Sequence, residues 1–293
     1  MIAEVFAVLA PVIALAVAGW VWARLGWVFD LAFVTRLSLT VATPCLVFAT
    51  LVKAEIEPAA FRSLALAALA AYAVALAAFA GLIAIAGLSQ RVWLAPMAFA
   101  NTGNVGLPVA LYGFGEPGLA LAMVVFAVMV VLSFTLGVAV VAGVGRPAEA
   151  LRQPIVYAAL AGSLAAVYDL TPPDWVMDTL SLTGQIAIPL MLLTLGVSIA
   201  RLGVAALGEA LALSLVKLAV TAGAGLAAAW AFDLDGLALA MLVMQLAMPA
   251  AVTNYLLAAR YEREPDRVAG LVVVSTLLAL AAIPALLVVF DAR

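Results

Sequence analysis

Asn101, Thr102 and Asn104 fall within four residues of one another in an apolar stretch, and Gly103, Gly106 and Pro108 stand among them. A second stretch carries Gln245, Pro249, Thr253 and Asn254. Amides and hydroxyls donate and accept hydrogen bonds without carrying charge, so these residue types suit binding. Lys217 is the one ionisable residue deep in an apolar segment. Its ammonium costs about 2.5–3.5 kcal/mol at the centre of a membrane helix, so a partner is expected. Ser214 and Thr221 share its helical face. Two readings stay open for Lys217: a brace for backbone carbonyls, or charge compensation for an anion. Histidine is absent, which removes the commonest general base and metal ligand. Apart from the neighbours Ser214 and Lys217, nothing resembles a nucleophile with its base. The chain is therefore expected to be no enzyme, with no catalytic residue, metal or cofactor.

The elements that hold these residues follow from composition. Of 293 residues, 68% are hydrophobic and 10% charged, against roughly 25% charged in soluble domains. Lipid must therefore solvate much of the surface. The net charge of −3 gives no basic patch for nucleic acid. Cys45 is the single cysteine, so no intrachain disulfide can form. A spanning helix needs about 20 apolar residues, and ten segments qualify. The first five run Ile2 to Trp22, Leu31 to Val52, Ser63 to Ala86, Trp93 to Gly113 and Gly118 to Val144. The second five run Pro154 to Asp169, Trp175 to Ala200, Leu207 to Phe232, Gly236 to Ala259 and Arg267 to Phe290.

Each polar cluster interrupts one of these segments. Proline removes a backbone donor and clashes with the preceding turn, and glycine lowers helix propensity. The fourth and ninth spans are therefore predicted to break, with their freed backbone groups met by protein or by a wet cavity. The two halves also resemble each other. Leu37-Ser38-Leu39-Thr40 recurs as Leu180-Ser181-Leu182-Thr183, with Pro44 and Pro189 following. Pro108 pairs with Pro249, and Val130-Val131-Leu132-Ser133 with Val272-Val273-Val274-Ser275. Five spans per repeat is odd, so the copies have opposite orientation. The expected fold is an all-α membrane protein of ten helices in two inverted five-helix repeats, 1–145 and 146–293. Interrupted spans at corresponding places in two such halves mark a transporter's binding site.

Orientation follows Lys and Arg placement. With the N-terminus outside, the inner side holds Arg24, Arg36, Arg91, Arg146, Arg152, Arg201, Arg260, Arg263 and Arg267. The outer side holds Lys53, Arg62 and Arg293. Both termini are predicted outside. The first span carries Glu4 and no basic n-region, so it is expected to stay in place as a span rather than act as a cleaved signal.

The stretches NTGNVGLPVALYGFGEPGLALA, IPLMLLTLGVSIA at Ile188 to Ala200, and MPAAVTNYLLAARYEREPDRVAGLVVVSTLL at Met248 to Leu278 resemble the auxin efflux carrier family. This family includes the plant PIN exporters and many bacterial membrane proteins. The resemblance implies a fold shared with bile-acid:sodium symporters, in which spans 4 and 9 cross at their prolines. It implies a scaffold of spans 1, 2, 6 and 7, often a dimer interface, and a mobile unit of spans 3–5 and 8–10. It implies a carrier exporting a small organic anion by alternating access. The alternative is a sodium- or proton-coupled anion importer. Gly145 to Gln153 is far shorter than the long plant loop, so control through that loop does not carry over. Eleven Arg against two Lys and abundant Ala give the chain a bacterial look, and a cell (inner) membrane location is expected.

Overall fold

A computed structural model describes residues 2–54, 57–143, 153–168, 170–202 and 206–290, with side chains from Ala10 onward. Arg146, Arg152, Asp169 and Arg293, which bear on orientation or span limits, lie outside the described residues, as does most of the connection between Gly145 and Gln153. Among the described residues every regular element is a helix. They are α1 (Ile2–Arg24), α2 (Leu31–Lys53), α3 (Pro58–Ile85), α4 (Gln90–Ala98), α5 (Thr102–Ala142), α6 (Pro154–Val167), α7 (Asp174–Arg201), α8 (Leu207–Ala231), α9 (Gly236–Ala247), α10 (Val252–Arg260) and α11 (Pro265–Val289).

Six of these, α2, α3, α5, α7, α8 and α11, are long and apolar enough to cross a membrane. The other expected spans take different forms. The fourth is divided between α4 and the start of α5. The ninth is divided into α9 and α10. The sixth, α6, has 14 helical residues, about 21 Å at the helical rise, which is short of a hydrocarbon core of about 30 Å. Helix α5 is 41 residues long but is interrupted at Gly115, whose φ of 67° and ψ of −164° are open essentially to glycine alone. The expected fourth and fifth spans lie on either side of that glycine.

Two prolines act through the turn before them. In α2 the turn Ser38–Ala42 is π-helical, and the Thr43 N–H donates five residues back, to Ser38 O. In α5 the turn Thr102–Gly106 is π-helical, and the Leu107 N–H donates to Thr102 O. Pro44 and Pro108 follow immediately. A proline has no N–H for the carbonyl four residues back, and the widened turn absorbs that mismatch. Pro284, by contrast, sits inside α11 without interrupting it.

Packing depends on small residues where helices meet. Helix α1 lies against the second half of α7. A Cβ added to Gly196 would stand 1.8 Å from Ala16 O, and one on Gly19 would stand 2.2 Å from Leu193 O. Only glycine permits that approach. Helix α2 packs on α6 and on the first half of α7, and α8 packs on α3, α9 and α11. At one end of the second group, Arg267 of α11 pairs with Glu209 of α8 and with Glu264, and its guanidinium lies over the Trp93 ring of α4.

Candidate functional site

The chain leaves α4 at Ala98 and runs extended through Phe99, whose φ is −96° and ψ is 112°. It leaves α9 at Ala247 and runs extended through Met248, whose φ is −60° and ψ is 155°. These two short extended pieces meet. Ala100 and Ala250 form an isolated antiparallel bridge, and the Asn101 N–H donates to Pro249 O at 2.6 Å. The Asn254 side-chain amide donates to Phe99 O at 3.1 Å. The Ala250 N–H donates to Ser275 Oγ of α11 at 3.0 Å. Each break thus supplies partners for the backbone groups the other has freed, as burial in a lipid environment requires.

Beyond the bridge both spans restart. Asn101 caps α5, its side-chain oxygen accepting from the Asn104 N–H at 3.3 Å. Helix α10 restarts at Val252. The first turns of the two helices contribute Asn104, Val252 and Thr253 to one small cavity of about 30 Å³. Across it stand Thr35 and Ser38 of α2 and Met191 and Thr194 of α7. The hydroxyls of Thr35, Ser38, Thr194 and nearby Thr102 are buried without a hydrogen-bond partner among the described residues. The positive ends of two helices together with unpaired hydroxyls make a wall that suits an anion, although the Asn104 N–H is already taken by Asn101.

A second cavity of about 980 Å³ is lined by the same helices further along. Its walls include Leu46, Thr50 and Lys53 of α2, Ser181, Gln185 and Ile188 of α7, and Tyr112 and Glu116 of α5. The Lys53 ammonium donates to Ser181 Oγ at 2.8 Å at the exposed end. Ala42, Ala187 and Met191 pack with Leu46 as an apolar cluster, and on α2 Ala42 lies between Leu39 of the small cavity and Leu46 of the wide one.

The sequence-derived residues divide accordingly. Asn101, Pro249 and Asn254 meet at the bridge. Asn104 and Thr253 face the small cavity. Gln245 is buried, and its Oε1 would stand 2.2 Å from a Cβ on Gly106, so the amide lies directly on the π turn. Pro108 is a buried first-turn residue of the helix after the π turn, and the backbone bridge itself is made by Ala100 and Ala250. Lys217 is 2% exposed and lies in a third cavity with Ser214, Met248 and Pro249, apart from the other two. Ser214 and Thr221 direct their hydroxyls to Ala210 O and Lys217 O of their own helix, at 2.6 and 2.8 Å. Ser38, Thr194 and Ser275 were visible in sequence only as parts of the repeats or family motifs, and Thr35 carried no signal.

Interrupted apolar helices that satisfy each other at a buried bridge, beside polar cavities, have the form expected at the binding site of a membrane transporter. Residues 145–287 match the family described as membrane transport protein. That is the model of the auxin efflux carrier family that the motifs resemble. No curated protein matches the chain.

Proposed function

We propose that the protein is a secondary carrier that moves a small organic anion, in the export direction, by alternating access. The reading rests on one observation above the others: the first turns of α5 and α10 face a cavity whose opposite wall is hydroxyls of α2 and α7. Helix N-termini carry partial positive charge and free N–H donors, so an anion is compensated there without a fixed cation. Asn104, Thr253, Ser38 and Thr194 are the contacts, with Thr35 and Thr102 beside them. Asn101, Asn254, Gln245 and Pro249 hold the two breaks in register.

In this reading ten spans form two inverted five-helix repeats, 1–145 and 146–293. The packing of α1, α2, α6 and α7 on one another supports a scaffold, and that of α3, α4, α5, α8, α9, α10 and α11 supports a mobile unit. The groove between them is wide at Lys53 and closed at Ser38, so the described state opens on the Lys53 side. The arginine bias makes that side the outside, with both termini outside in a cell membrane. The resemblance to bacterial members makes small carboxylates the first candidates.

A thermal-shift screen of the purified protein against mono- and dicarboxylates tests this, since a ligand bound to the native state stabilises it by mass action. At least one carboxylate should raise the melting temperature of the wild type and raise that of Thr194→Val less. A full panel without any shift would contradict the reading.

A further inference from the structure

Lys217 has no part in the groove between α2, α5 and α7. Its cavity, about 10 Å³, is lined by Ser214, Ala247, Met248, Pro249 and Ser275 among others, and shares no residue with either cavity of the groove. Its Nζ is buried with no hydrogen-bond partner among the described residues. As described, this space holds one water at most, and the ammonium stands apart from the groove in which the anion is placed.

The chemistry of the lining says what does. Ala247 is the last residue of α9, and the last carbonyls of a helix have no partner within it. Met248 precedes a proline and lies in extended backbone. A helix C-terminus carries partial negative charge. Ser214 Oγ and Ser275 Oγ spend their hydrogens on Ala210 O and Val272 O, so each turns only lone pairs outward. The Ala250 N–H is spent on Ser275 Oγ. The wall therefore combines the Ser214 and Ser275 hydroxyl oxygens and the C-terminal end of α9 with the apolar side chains of Leu218, Met248, Leu278 and Ala279, and a helix break is the kind of setting in which carriers hold a monovalent cation.

We infer that the Lys217 ammonium is a built-in monovalent cation at the α9–α10 break, standing where a diffusible coupling ion would otherwise sit. Its charge offsets the freed carbonyls in every step of the cycle, so anion movement is independent of sodium. Shortening the side chain leaves the same oxygens around an empty space that sodium, with water, can fill. The consequence for coupling rests on the carrier reading proposed above, but the site itself does not.

The experiment measures thermal stability of purified wild type, Lys217→Ala and Lys217→Ser in choline chloride, sodium chloride and potassium chloride at equal ionic strength. Wild type should melt at the same temperature in all three. Both variants should melt lower in choline and rise saturably with sodium by about 3–5 °C, the size expected for a ligand at about ten times its Kd. Sodium-dependent stabilisation of the wild type would overturn the inference. So would variants indifferent to every cation, or variants unfolded in sodium and choline alike. No substrate enters this measurement, so its outcome stands even where a carboxylate screen fails.

Discussion

Asn254 donates its side-chain amide to Phe99 O at 3.1 Å across 155 residues of sequence. A side chain of one broken span thereby satisfies the backbone of the other, and the contact lies beside the Asn101 to Pro249 bond. Asn254→Ala leaves a buried carbonyl unpaired, which costs about 1–3 kcal/mol. Asn254→Asp removes the donor as well and adds charge, so it should lose more. Denaturant titration in detergent measures both. Equal stability of Asn254→Ala and wild type would show that the bond does not hold the breaks together.

Gly106 and Gln245 form a second tie between the spans. Gly106→Ala places a methyl 2.2 Å from Gln245 Oε1, so the amide must move off the π turn. The single substitution should destabilise by about 1–3 kcal/mol through overpacking. Gln245→Ala in the same chain should recover part of that loss, because residues in contact couple by about 0.5–3 kcal/mol. Strictly additive losses would show that the two residues do not meet.

Ser38 and Thr194 allow binding to be separated from stability. Both hydroxyls are buried and unpartnered among the described residues. Ser38→Ala and Thr194→Val discard a polar group that the empty protein does not use, so stability should hold or rise. Affinity for the stabilising carboxylate should fall about 10- to 150-fold for each, the worth of a hydrogen bond to a charged group, roughly 1.5–3 kcal/mol. A drop in stability with unchanged affinity would assign these hydroxyls to packing.

Orientation can be read by labelling. In a Cys45→Ser background, Glu57→Cys and Asp235→Cys should react with an impermeant thiol reagent added to intact cells. Gly87→Cys and Glu262→Cys should react only after permeabilisation. The reverse pattern would invert the protein and with it the side on which the wide cavity opens.

The breaks were legible because Gly, Pro and Asn were concentrated where a continuous helix would have needed Leu or Ala. The point of contact was not. Ala100 and Ala250 carry no side-chain signal, and the π turn at Thr102–Gly106 separates their bridge from Pro108 along the chain. The opposite wall was also hidden. A lone Ser or Thr in an apolar helix usually bonds its own backbone, as Ser214 and Thr221 do. Nothing local distinguishes those from Ser38 and Thr194, whose partners depend on how α2 and α7 pack. Lys217 was conspicuous as a charge. Its cavity, on the acceptor side of the ninth-span break and apart from the groove, depends on how α8 packs against α9 and α11.

Counterflow in proteoliposomes tests the central claim, anion carriage through the groove, most directly. Vesicles loaded with an unlabelled carboxylate from the stabilising set are diluted into a trace of the labelled compound. Carriage by alternating access predicts saturable, transient accumulation of label, reduced by Ser38→Ala and by Thr194→Val. Label entry that does not depend on internal anion, or that equals entry into protein-free vesicles, would contradict it.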